Sequence, residues 1–154
     1  MRLARGVYGQ RQAGVQMVRI KLPFGRITFK QILKIADISD EYASKNLHLT
    51  TRQDIQIHYV SLDKTPELWA KLAEDDITLR EACGNTVRNV TASPASGIDP
   101  DEPFDVSPYA QKTFEYFLRN PYVPKWAGNL KCHFPPVTRI PHSLISMILV
   151  SSLR

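Results

Sequence analysis

From Gln16 to Leu22, Met17, Arg19 and Lys21 alternate with Val18, Ile20 and Leu22, a period-two pattern that predicts a strand. Pro23-Phe24-Gly25 then turns the chain. Thr28 can cap a helix, and Phe29, Ile32, Leu33, Ile35, Ala36, Tyr42 and Ala43 carry helical spacing to about Ala43. Leu47-His48-Leu49 predicts a second strand. Residues 54–60 alternate again, with Ile55 and Ile57 on one face and Gln56 and His58 on the other. Thr65-Pro66-Glu67 predicts a helix start with Thr65 as cap and Pro66 in the first turn, followed by a stripe of Leu68, Trp69, Leu72 and Ala73. The stretch 78–83 favours neither state. Residues 86–92 predict a strand centred on Val87 and Val90. Residues 93–108 are rich in Pro, Asp and Ser and predict a loop or linker. Ser107-Pro108 starts a helix to about Leu118, with Tyr109, Phe114, Phe117 and Leu118 on its apolar side. Residues 2–16 show no strong periodicity.

The order strand, helix, strand, strand, helix, strand is the split βαβ pattern of a ferredoxin-like α+β fold. The expected organisation is a ferredoxin-like half domain over 1–92, a linker and helix over 93–122, and an irregular tail over 123–154. At 154 residues, 43% apolar and 23% charged, the chain can hold one modest core. No apolar run is long enough to cross a bilayer and no apolar leader opens the chain, so a cytoplasmic location is the expectation. Cys83 and Cys132 have no metal-ligand spacing, and no metal site is expected. Charge sharpens this picture. Residues 1–36 carry eight Lys/Arg and no acid, residues 123–154 carry four and no acid, and all fifteen acids lie between. Such basic segments suit an anionic ligand, a nucleic acid or a solvated face. No aromatic-rich binding motif or Cys/His finger supports nucleic acid.

The candidate chemistry gathers at the corner between the second and third strands, Thr50-Thr51-Arg52-Gln53. Two hydroxyls, a guanidinium and an amide meet there. The planar fork of Arg52 fits a carboxylate or an oxyanion, unless it serves only to pair with a nearby acid. Lone strand histidines such as His48 and His58 read as structural. So does Cys83, which has no partner motif for a nucleophile.

Residues 82–90 (Ala-Cys-Gly-Asn-Thr-Val-Arg-Asn-Val), taken with 50–53, 6–12 (Gly-Val-Tyr-Gly-Gln-Arg-Gln), 17–25 and 99–108, give a series of short motifs whose order and spacing resemble the siroheme-dependent nitrite/sulfite reductases. The resemblance covers residues 2–122, the amino-terminal ferredoxin-like half and the start of the following siroheme domain. It implies an enzyme that reduces sulfite to sulfide or nitrite to ammonia by six electrons. Ferredoxin or a flavoprotein would be the donor, and siroheme and a [4Fe–4S] cluster the cofactors. It implies that Arg52 and Arg88 bind the oxyanion, and that Arg11, Thr50, Thr51, Gln53 and Asn89 contact cofactor.

The resemblance ends at Tyr122. The family continues with Gly-Arg-Lys-Phe-Lys and later with four cluster cysteines, and this sequence has neither. Codons can be chosen for 123–134 so that a shifted frame encodes Gly-Arg-Lys-Phe-Lys, which suggests a frameshift near Tyr122. The start also looks clipped. The expectation is therefore an amino-terminal reductase fragment, inactive alone. A small basic ferredoxin-like module binding RNA or protein is the alternative. A poorly folding frameshift product with a disordered tail and an aggregating apolar end at 144–150 is a third.

Overall fold

The computed structural model describes residues 2–84, 86–120 and 131–136. The expectations for the apolar end at 144–150 and for most of the tail lie outside these residues. A four-stranded antiparallel sheet has the order β1-β2-β4-β3, formed by β1 (Val7–Gly9), β2 (Val15–Ile20), β3 (Leu47–Leu49) and β4 (Ile55–Ser61). β2 and β3 each pair antiparallel with β4, which lies between them, so they run parallel to one another. Helix α1 (Phe29–Tyr42) makes the crossover between them, giving a split βαβ unit. Helix α2 (Thr65–Ala73) follows β4. The fold is α+β and ferredoxin-like, as the alternation predicts.

One face of this sheet makes the larger core. Val18, Ile20, Ile55, Ile57 and Val60 pack with Ile35 and Ile38 of α1 and Leu68 and Leu72 of α2. Each such side chain contributes roughly 1.5–3 kcal/mol by leaving water. Thr28 caps α1 as its position predicts: its hydroxyl accepts from the Gln31 amide, and the Gln31 side chain accepts from the Thr28 amide. The predicted apolar face of α1 is only partly used. Ile35 and Ile38 are buried, whereas Phe29, Ile32 and Leu33 are exposed. Thr65 does not cap α2. It lies within the first turn and donates its hydroxyl hydrogen to the Leu62 carbonyl, which extends a preceding 3-10 turn.

The edge beside β2 differs from the expectation. The segment Val7-Tyr8-Gly9 takes it as a hairpin partner, with Val7 opposite Val18. Gly6, at φ 75°, makes this approach possible, since a Cβ there would sit 2.6 Å from the Arg19 carbonyl oxygen. Among the described residues a single bridge, Lys21 with Thr78, continues that edge. The strand predicted over 86–92 is not in this sheet. It shortens to β5 (Val90–Ala92) and pairs in parallel with β6 (Cys132–Phe134). This corrects the irregular reading of the tail for residues 132–134: Cys132 turns inward and His133 outward, the alternation of a strand.

A second, smaller core lies under β5. Val87, Val90, Ala92, Val106 and Cys132 pack against Ala110 and Phe114 of α3 (Ser107–Phe117). Of the predicted apolar side of α3, Phe114 is buried and Tyr109 exposed, with Phe117 and Leu118 partly covered. Among the described residues no helix is long and apolar enough to cross a membrane.

Candidate anion-binding site

Arg19 of β2 and Gln56 of β4 alternate with the core residues Val18, Ile20, Ile55 and Ile57. The register aligns Arg19 with Gln56, and Gln56 with His48. With its amide oriented to accept, the Gln56 oxygen takes a hydrogen bond from Arg19 Nε at 3.1 Å. Lys21, two residues beyond Arg19, is 3% exposed and donates through Nζ to the Val87 carbonyl at 3.0 Å. It also lies over the Phe114 ring, 5.4 Å from the centroid. Burial pushes its ammonium down to about 8, against the opposing pull of Glu81 and Asp54.

The corner between β3 and β4 is locked by its own side chains. The Gln53 amide donates to the Thr50 carbonyl at 3.0 Å, and Gln53 sits at φ 60°. Thr50 Oγ1 accepts from the amides of Arg52 and Asp54, at 3.3 and 3.1 Å. The corner is then tied to the segment before β5. Arg52 Nη2 donates to the Asn89 carbonyl at 3.0 Å, and Asn89 Nδ2 donates back to the Arg52 carbonyl at 3.0 Å and to the Leu22 carbonyl. Gln53 Nε2 donates to the Ala92 carbonyl at 2.8 Å while the Ala92 amide donates to Gln53 Oε1 at 3.1 Å. The carboxamide of Gln53 thus pairs with β5 as a neighbouring strand's backbone would.

These ties bring Arg52 and Arg88, thirty-six residues apart on different segments, into one electrostatic cluster with Arg19 and Lys21. Burial lowers the basicity of Arg52; Asp54 restores part of it, and Arg88 and Arg19 lower it further. Arg88 is half-buried and donates through Nη1 to the Ala82 carbonyl at 3.2 Å. Asp54, 3% exposed, is pushed up to about 6 by burial, although Arg19, the Leu22 amide, Arg52 and Lys21 all oppose the shift. Burial raises the thiols of Cys83 and Cys132, and both cysteines are free. Within this cluster three buried side-chain atoms have no hydrogen-bond partner among the described residues: Arg52 Nε, Asp54 Oδ1 and Asn89 Oδ1.

The candidate residues therefore divide. Arg52 and Arg88 lie in the cluster. Thr50 braces the corner from within, Asn89 Nδ2 ties it to the segment before β5, and the Gln53 carboxamide ties it to β5. Thr51 and Arg11 are exposed, Thr51 on the corner and Arg11 in the turn between β1 and β2. Sequence reasoning passed over Arg19, Lys21 and Asp54. The signal for the first two was the alternation of β2, which sets them opposite Val18 and Ile20. His58 Nδ1 lies 3.1 Å from Gln10 Nε2, and its ring stacks on His48 with centroids 5.8 Å apart. Among the described residues no group of three or more His, Cys, Asp or Glu could hold a metal ion.

A separate groove of about 730 Å³ runs between the corner, α1 and the loop 93–107. Leu22, Phe24, Ile32, Leu49 and Ile98 line it, with one base, Arg26, against two acids, Asp54 and Asp105. That balance does not suit a polyanion. The Arg19–Lys21–Arg52–Arg88 cluster, with the orphaned Arg52 Nε, does.

Residues 8–75 match the nitrite/sulfite reductase ferredoxin-like half domain. The chain is 34% identical over 126 residues to the assimilatory ferredoxin-dependent nitrite reductase of Haloferax mediterranei, a match covering 74% of this chain and 21% of that protein. It is 28% identical over 105 residues to sulfite reductase [ferredoxin] 1 of Mycolicibacterium paratuberculosis, covering 68% and 19%. The solved structure of the Mycobacterium tuberculosis NirA protein superposes with a TM-score of 0.75 at 23% identity, over 87% of this chain and 27% of that one, which establishes the fold. The chain spans about one fifth of the length of the curated relatives it matches.

Proposed function

We propose, from the premise that this chain belongs to the nitrite/sulfite reductases through their ferredoxin-like half domain, that it supplies the anion-facing part of a reductase site. The observation that carries the reading is the convergence of Arg52 from the corner, Arg88 from the segment before β5, and Arg19 and Lys21 from the β2 segment into one electrostatic cluster. Two guanidinium groups held by backbone carbonyls can accept an oxyanion without first being gathered, so the entropy of ordering them is already spent by the fold. Their charge then stabilises negative charge on oxygen as a nitrogen–oxygen or sulfur–oxygen bond weakens. Sulfite and nitrite both fit this chemistry, and ferredoxin-type electron donors fit the names of the relatives.

The same cluster suits the carboxylates of a siroheme, which in a complete reductase would supply the redox chemistry together with an iron–sulfur cluster. Arg11 and Thr51 are exposed to reach such carboxylates. Thr50 shapes the corner that carries Arg52, while Gln53 and Asn89 tie that corner to β5 and to the segment before it. The two cysteines of this chain are too few for a four-cysteine cluster, so the chain alone is an amino-terminal fragment in function and does not turn over. The RNA- or protein-binding alternative draws no support from the relatives.

Titrating siroheme into the purified 154-residue chain, and following its absorption bands, tests this reading. Saturable binding is expected, weakened at least several-fold in Arg52→Gln and Arg88→Gln. Binding that is absent, or identical in both variants, would sink it. So would reduction of sulfite by the chain alone with a reduced viologen donor, for the fragment part of the proposal.

A further inference from the structure

Asp54 stands among the cations of the cluster, and the proposed function gives it no task. It opens onto β4 from the corner and is 3% exposed. Arg52 approaches it from the corner, Arg19 and Lys21 from the β2 segment, and the Leu22 amide from the turn that follows. Cys83, on the segment before β5, senses its charge as well. Glu81, Arg88 and Cys132 act on the same Lys21. A carboxylate so surrounded by cations would ordinarily stay ionised far into acid. Burial reverses that order. Oδ1 accepts no hydrogen bond, which a neutral acid tolerates better than an anion does. Arg52 Nε and Asn89 Oδ1 are also without partners, so the polar layer is not closed on itself.

We propose that Asp54 is a positioning residue that couples anion binding at the Arg52–Arg88 cluster to uptake of one proton. The proposal rests on the reading of that cluster as an anion site. When Asp54 is ionised, the cluster carries its own counter-ion, and an incoming anion meets one negative charge among the cations. When Asp54 is protonated, that charge is gone and the net positive charge rises by one. The linkage is reciprocal: a bound anion must tighten the hold of Asp54 on its proton. In a reduction that consumes protons with its electrons, one exchangeable proton would arrive in the cluster with the substrate.

Sulfate is the probe, because it keeps its double charge across the mildly acidic range. The full chain is titrated with sodium sulfate at pH 5, 6 and 7 at constant ionic strength, followed by amide and arginine Nε NMR shifts. Affinity is expected to fall by about fivefold or more from pH 5 to 7. The titration midpoint of the Asp54 carboxyl carbon is expected to rise when sulfate is saturating. The stacked His48 and His58 rings lie on the neighbouring strands, so the contrast with Asp54→Asn decides their share. In that variant affinity should stay near its pH 5 value at all three pH values. The same pH profile in Asp54→Asn, or an Asp54 midpoint unmoved by sulfate, overturns the coupling and leaves the anion site standing. Sulfate binding that is absent at every pH, or that survives Arg52→Gln, overturns the anion site itself. The Asp54 midpoint requires no substitution, so it decides the matter even if the Asn variant fails to fold.

Discussion

Asn89 shows how much can depend on one side chain. Its amide joins three segments, the turn at Leu22, the corner at Arg52 and the approach to β5, and it is 1% exposed. Asn89→Ala leaves the Leu22 and Arg52 carbonyls without this donor in a buried place. A loss of about 2–4 kcal/mol is expected, read from denaturant midpoints. Lys21 and Asp54 work the other way, as stored cost. Lys21 is held near 8 in the fold against an ordinary 10.5. The unfolded chain therefore binds its proton more tightly, the penalty is full below pH 8, and stability should rise as pH climbs from 8 toward 10.5. Lys21→Met should flatten that rise in a series of thermal melts. Asp54, near 6 in the fold against 3.8, binds its proton more tightly when folded. Its penalty is absent below pH 3.8, grows toward 6 and is full above it, reaching about 3 kcal/mol at most. These two costs were not legible in the sequence. Alternation puts Lys21 opposite the main core, but only the packing of Val87 and Phe114 over that face makes it buried.

At the scale of elements, period and caps carried most of the information. The Thr28–Gln31 capping box, the alternation of β2 and β4 and the Ser107-Pro108 start of α3 all depend on residues within a few positions of one another. Thr28→Ala should cost about 1 kcal/mol, seen as a lower melting temperature with an unchanged fold by circular dichroism. β1 was missed because Val7-Tyr8-Gly9 is too short to show a period. Its strand character comes from pairing with Val18, Met17 and Gln16. The fourth strand was misplaced for a related reason. Val87 and Val90 are buried as a strand centre should be, yet in the smaller core, and only Val90 begins a ladder. Local pattern says that a segment is buried but not against what. The corner itself was legible as chemistry, whereas the division of labour within it was not. Gln53 and Asn89 look like ligands in sequence, and their partners are backbone atoms nearly forty residues away.

For the whole molecule, two cores meet across one polar layer. Val18, Ile20 and Ile57 face the helices, while Phe114 and Val90 cap the other side, and Lys21, Asn89 and Arg52 bridge between. Such bridging predicts cooperative unfolding. Phe114→Ala should cost about 3–5 kcal/mol and lower the protection of β2 amides as well as those of α3 in hydrogen exchange. Loss confined to α3 and β5 would show that the two cores open separately.

The pairing of Gln53 with Ala92 has a mechanical consequence. A side chain that imitates a strand edge works as a rivet between the corner and β5, and its length sets their spacing. Asparagine, one methylene shorter, would pull that joint closed or leave it open. The distance between the Arg52 corner and the segment bearing Arg88 is therefore gauged before any guest arrives, and fitting depends on the guest's size as well as its charge.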